Sequence, residues 1–190
     1  MSNAYALPTS LYIKGVGFSI RTDFRDILYI LEQFNNPDLL EESKALICLE
    51  VLYIDFDKIP ENDYEEALIQ AKEFIDMGIK EDGKNKPTLM DWEQDGAMIV
   101  PAVNKVLGQE IRSLPYLHWW TFLSAYLEIG EGLFSSVISI RNKKAKKKKL
   151  EKYEQEFYRD NKNLIDLKRK ESEEEREDKE KLRKMFGYKK

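Results

Sequence analysis

Cysteine and histidine are nearly absent from this 190-residue chain. One cysteine, Cys48, excludes an internal disulfide. It sits in Leu46-Ile47-Cys48-Leu49, where a thiol behaves as a small core residue, and this fits a reducing compartment. One histidine, His118, leaves no second imidazole and no cysteine cluster to complete a zinc site. No apolar run approaches the roughly 20 residues of a membrane span, so no membrane association is expected. The N-terminus lacks a basic stretch followed by an apolar one, so no secretory signal is expected either. No Asp-x-Asp-x-Asn-Gly calcium loop occurs. From Lys168 to Lys181 there is no apolar residue. That stretch has nothing to bury, and it is expected either to project as a solvated helix or to stay disordered.

What is present is a split of charge. Residues 142–190 hold 19 Lys and Arg against 12 Asp and Glu, while residues 1–141 hold 12 against 23. An acidic, aromatic-rich body of net −11 therefore carries an extension of net +7. The junction reads Ile140-Arg141-Asn142-Lys143-Lys144-Ala145-Lys146-Lys147-Lys148-Lys149. We read one helical domain at 1–141 and a charged helical or partly disordered extension at 142–190.

Local patterns set the fold class. Leu11–Ile13 and Phe18–Ile20 flank Lys14-Gly15-Val16-Gly17, which predicts a β-hairpin. Thr22-Asp23 offers a helix cap, and Phe24, Ile27, Leu28 and Leu31 follow at helical spacing. A second helix is predicted from about Leu39 to Phe56, apolar on most sides from Leu46 onward. Pro60-Glu61-Asn62-Asp63 opens a third helix, with Tyr64, Ala67, Leu68, Ala71 and Ile75 on its buried face and Gly78 at its end. Residues 78–88 read as an exposed polar loop. A fourth helix is predicted over Asp91–Leu107, stopped by Gly108 and kinked or split by Pro101. Pro115 suits the first turn of a helix through Tyr116–Leu127. Leu150, Tyr153, Phe157, Leu164 and Leu167 continue at 3–4 spacing. The sum is a mainly α fold, with a short N-terminal β-hairpin and a long charged C-terminal helical extension.

Chemical readings find little support. Gly78-Ile79-Lys80-Glu81-Asp82-Gly83-Lys84 has the spacing of a phosphate-binding loop. Yet Asn85 stands where Ser or Thr would bind magnesium, two acids would face the phosphate, and no strand precedes it. His118 with Ser124 or Ser113 is the only combination resembling a nucleophile and base, and a lone histidine in an aromatic helix is usually structural. No enzyme and no cofactor is expected. Trp119 and Trp120 point about 100° apart if helical. We read Trp119 as core and leave Trp120 open between core residue and partner anchor. The lysine run has no interleaved aromatics and is followed by Glu151, Glu154 and Glu156, which argues against nucleic acid.

Ile20-Arg21-Thr22-Asp23-Phe24-Arg25 after a hairpin, then Tyr116-Leu117-His118-Trp119-Trp120-Thr121-Phe122, then Ile138-Ser139-Ile140-Arg141 with its lysine-rich tail, resemble the bacteriophage gene-product-fifteen family of long-tailed phages of Gram-positive bacteria. The resemblance implies a tail-assembly chaperone that keeps the tape-measure protein soluble, in the host bacterial cytoplasm and absent from the mature virion. The major tail protein and a second copy of the chain are further partners in that expectation. A structural tail component and a nucleic-acid-binding accessory protein are the alternatives. Trp120, Tyr126, Tyr153 and Phe157 are the candidate contact residues. Arg141, Lys146, Lys147, Lys148 and Lys149 are the candidate electrostatic guides.

Overall fold

The computed structural model describes residues 6–79, 87–168 and 170–186. Strands β1 (Ser10–Ile13) and β2 (Val16–Ser19) pair antiparallel, with Ile13 opposite Val16. The turn is only Lys14-Gly15, both at positive φ (47° and 82°). That is the backbone a two-residue hairpin needs to match strand twist. Lys14 tolerates it because it is anchored: its N–H donates to Glu66 at 3.0 Å and its ammonium pairs with Asp63.

Nine α-helices follow among the described residues. Helix α1 is Phe24–Phe34, α2 Glu41–Leu52, α3 Tyr64–Ile75 and α4 Gly96–Leu107. Helix α5 is Trp119–Leu127, α6 Leu133–Ala145, α7 Lys152–Asp160, α8 Lys162–Ile165 and α9 Glu173–Phe186. The fold is mainly α with an N-terminal hairpin, as the periodicities predict.

A short extended segment, Ile20–Asp23, organises the body. On one side Arg21 N donates to Leu52 O at 2.7 Å and Ile54 N to Ser19 O at 3.0 Å. On the other side Trp119 N donates to Thr22 O at 2.7 Å and Phe24 N to Leu117 O at 2.9 Å. The same residues therefore end α2 and start both α1 and α5. Asp23 caps α1 through Arg25 N at 2.9 Å, and its other oxygen accepts from Leu117 N at 3.1 Å.

This pairing explains where helix limits depart from the sequence reading. Tyr53 is extended rather than helical because it bridges Ile20, and its hydroxyl donates to Ala67 O at 2.8 Å. Helix α5 starts at Trp119, three residues later than its pattern predicts, because Leu117 and His118 are used in the bridge to Asp23. Pro115 thus lies outside the helix. Helix α4 starts at Gly96, since Asp91 is engaged in a turn, accepting from Glu93 N and Gln94 N at 3.0 and 2.7 Å. It then runs unbroken through Pro101 to Gly108, whose φ of 68° closes it. All of the Gly78–Lys84 stretch but Gly78 and Ile79, and most of the 78–88 loop, lie outside the described residues.

The core is aromatic at its centre. Phe24 stacks on Phe122 at 4.8 Å between ring centroids, and Phe122 on Trp119 at 5.6 Å. Trp92 closes over Trp119, Phe122 and Tyr126. The division expected at 141/142 falls inside α6. Beyond it, Ile165 is fully buried with the core, and Leu150, Phe157, Tyr158 and Leu164 pack against it. Residues 150–167 thus form a strap across the body, in which α8 makes direct contact with α6. Helix α9 has no buried residue among its described side chains.

Candidate functional site

The two adjacent tryptophans finish α3. Trp119 Nε1 donates to Ile75 O and Trp120 Nε1 to Phe74 O, both at 2.8 Å. Carbonyls in the last turn of a helix lack their regular intrahelical donors, so the Trp119 indole serves Ile75 O and the Trp120 indole adds to the Met77 N–H at Phe74 O. Trp119 is buried, whereas Trp120 is half-buried and stacks on Phe74 at 6.0 Å. The chain turns away from α3 with Met77 at φ 54°, where the N–H groups of Met77 and Gly78 reach back to Phe74 and Glu73. Such a left-handed position usually falls to glycine.

Trp120 stands on the ridge between two open grooves. One, of about 700 Å³, lies between the ends of α3, α4 and α5 and is lined by Leu7, Met77, Val106, Trp120, Ser124 and Glu128. The other, of about 630 Å³, lies between the hairpin and α3, against Leu11, Tyr12, Glu73 and Phe74. The first continues past Val106 and Glu128 into a groove of about 380 Å³ under Pro101, Lys105, Leu133 and Phe134. That one shares Glu131 and Gly132 with a further groove of about 520 Å³ between α6 and α7, walled by Ser135, Ser139, Tyr153 and Phe157. Neighbouring members of the series share residues, so they form one mostly apolar belt from the hairpin to the strap. Exposed Leu7, Tyr12, Val106, Leu133 and Tyr153 lie along it.

Of the nine sequence-selected residues, three line this belt: Trp120, Tyr153 and Phe157. Tyr126 does not. It lies against Trp92 at 4.9 Å and Phe134 at 5.8 Å, and burial pushes its phenol above the ordinary range, with the Asp95 charge adding to the effect. Lys146, Lys147, Lys148 and Lys149 are exposed beyond the end of α6, with no ion-pair partner among the described residues. Lys147 takes φ 53° in a turn that returns Lys147 N to Lys144 O and Lys148 N to Lys143 O.

Arg141 is not a surface guide. It is buried, and all five guanidinium N–H groups are used. It grips Asp95 with both terminal nitrogens at 2.6 and 2.9 Å. The remaining donors go to the carbonyls of Leu89, Leu164 and Ile165. Asp95, itself fully buried, also accepts from Asp91 N at 3.0 Å. One side chain thereby joins α6, the segment before α4, and the strap. Around it Lys143 pairs with Glu154, Lys144 pairs with Asp166 over the Tyr158 ring, and the Gln94 amide holds the backbone at Asp166 and Lys168. The sequence places Arg141 at the edge of a basic run. Only its distant partner Asp95 reveals that it faces inward.

The nucleophile–base combination does not assemble. His118 Nδ1 accepts from Trp120 N and Nε2 donates to Pro8 O, both at 3.0 Å, so the ring is the Nε2–H tautomer capping α5. Ser124 donates to Trp120 O at 2.7 Å and Ser113 to Glu110 O at 2.8 Å. No cluster of metal-ligating side chains occurs among the described residues. No helix there is long and apolar enough to cross a membrane.

Sequence reasoning missed Leu7, Met77, Val106, Glu128, Glu131 and Leu133. The available signal was apolar residues at helix ends, such as Val106 one turn past Val103, where the buried stripe of α4 runs out into solvent. A family model described as Bacteriophage Gp15 protein matches residues 4–167, and the chain belongs to that family. The match ends at the strap, before α9. No curated protein and no solved structure matches the chain.

Proposed function

We propose that this Gp15-family phage protein is a tail-assembly chaperone, which binds the tape-measure protein and keeps it soluble in the host cytoplasm until the tail tube forms around it. The observation that carries the reading is the belt of linked apolar grooves with Trp120 on its ridge. A long helical protein exposes apolar stripes before assembly, and uncovered patches of that kind aggregate. A groove lined by aliphatic and aromatic side chains accepts such a stripe in the helix-in-groove manner. Many copies on one long helix would cover it end to end. In this reading Trp120, Tyr153 and Phe157 make the contacts, and no bond-making chemistry is involved.

Co-expression of the chain with the tape-measure protein encoded in the same phage tests the reading. The tape-measure protein should partition into the soluble fraction only when this chain is present. Equal insolubility with and without it rejects the chaperone role. Mass spectrometry of purified particles separates this role from that of a structural tail component: a chaperone is absent, a structural subunit is present in fixed copy number.

A further inference from the structure

The walls of the belt carry charge of mainly one sign. Glu73, Glu128 and Glu131 are exposed on it, and none has an ion-pair partner among the described residues. The one lysine on the same walls, Lys105, directs its ammonium to the backbone carbonyl of Glu131 at 3.4 Å. The lysine run does not neutralise this rim. Glu131 precedes α6 and Lys146 follows it, and the 13 residues of α6 separate the two by about 20 Å along the helix. That exceeds the Debye length of about 8 Å at physiological salt. The belt thus presents carboxylates around an apolar floor.

We infer that the belt selects an amphipathic helix whose apolar stripe is edged by lysine or arginine, and rejects one edged by acids. The inference rests on the chaperone reading and names the chemistry of the helix that reading requires. Basic edges place donors against Glu128 and Glu131. Acidic edges place like charge against an unpaired rim, on a body already at net −11 over residues 1–141.

Two synthetic helical peptides of about 20 residues test it, with one identical leucine stripe and either lysine or glutamate along its edges. Each is labelled and titrated with the full chain by fluorescence anisotropy. The lysine-edged peptide should bind about tenfold tighter at low salt, since two or three exposed pairs contribute modestly each, and the gap should shrink as salt is added. In the Glu128→Lys/Glu131→Lys variant the order should reverse, while circular dichroism stays unchanged because both side chains are exposed. Equal binding, preference for the glutamate peptide, binding of neither peptide, or a preference the double variant does not move each overturn the inference. So does a concentration-dependent dimer that Trp120→Ala dissociates, because the groove is then filled by a second copy. Soluble tape-measure protein in the co-expression assay without a lysine preference sinks this inference and leaves the chaperone reading. A lysine preference with an insoluble tape-measure protein sinks the chaperone reading instead.

Discussion

Replacing Arg141 by methionine should loosen the whole C-terminal half of the molecule. The substitution removes the positive charge from a site where Asp95 is fully buried. It also removes the donors to the carbonyls of Leu89, Leu164 and Ile165. Truncating one partner of a buried ion pair costs about 3–5 kcal/mol, because the other charge stays behind without compensation. Domains have only about 5–15 kcal/mol in total, so the variant keeps a fold with a much narrower margin. At this chain length each kcal/mol moves Tm by about 2–4 °C, giving a drop of roughly 6–20 °C. Urea unfolding followed by tryptophan fluorescence measures it directly. The midpoint should fall while the m-value stays constant, provided the surface exposed on unfolding is unchanged. Arg141→Lys should lie between, since an ammonium has three donors where the site uses five and no planar fork to grip both Asp95 oxygens. The double variant Arg141→Met/Asp95→Leu should recover part of the loss, because an apolar pair leaves no orphaned charge. A loss under about 1 kcal/mol in Arg141→Met would refute the reasoning, since it would mean that Asp95 is solvated.

The two tryptophans should separate in their effects. Trp119→Ala should cost about 3–5 kcal/mol by urea titration, whereas Trp120→Ala, half-buried, should cost less and instead weaken retention of the tape-measure protein in pull-down. Comparable stability losses from both would contradict the split. Lys147→Gly should raise stability by about 1 kcal/mol, the relief of a left-handed residue less the extra freedom of unfolded glycine. A lower melting temperature would show that the turn does not persist in solution. Glu110 should titrate by NMR at about 2 instead of 4.5, held down first by the side-chain hydrogen bonds from Arg112, then by the Arg112 N–H, with Asn104 contributing least. A folded carboxyl depressed in this way supports stability above its unfolded value, and that support is lost as pH falls from about 4.5 toward 2. Cys48, whose thiol burial pushes up to about 12, should resist a thiol reagent at pH 8 in the native state and react once urea unfolds the chain.

Features that depend on near neighbours were legible in the sequence. Asp23 caps α1, Gly108 stops α4, and Ala67, Ala71 and Ile75 mark the buried face of α3, all within one or two turns of the residues that cause them. Features that depend on distant partners were not. Arg141 and Asp95 lie 46 residues apart, and a run of lysines beside Arg141 reads as solvated. The strap was hidden for a related reason. Its apolar residues are diluted by charges, and several of those charges are consumed in fixed pairs such as Lys143 with Glu154. The start of α5 was obscured because pairing with residues 22–24 overrides the helical preference of Tyr116–His118. Among the contact candidates, Trp120 and Tyr126 look equivalent in sequence. They differ because Tyr126 meets Trp92 from another segment, while Trp120 meets Phe74 and His118 on one side and the open grooves on the other.

The buried Arg141–Asp95 pair acts as a latch on the strap, and this latch and the belt are physically coupled. Tyr153 and Phe157, which wall the far groove, belong to the strap, whereas Trp120 belongs to the body. The strap is held by the Arg141 contacts to Leu164 and Ile165, the Lys144–Asp166 pair and the Gln94 amide. With the latch closed, the grooves run as one surface from Tyr12 to Phe157. With it open, the near grooves around Trp120 keep their walls, since α5 is joined to α3 by the indole hydrogen bonds and packs directly against α4. A helix long enough to span the full belt therefore senses the latch, and a short one confined to the Trp120 grooves does not. On this logic Arg141→Met should weaken a long amphipathic helix more than a short one, at temperatures where the variant is still folded. Equal weakening of both would mean that the strap contributes no wall to the bound state, and that binding depends on Trp120 and its neighbours alone.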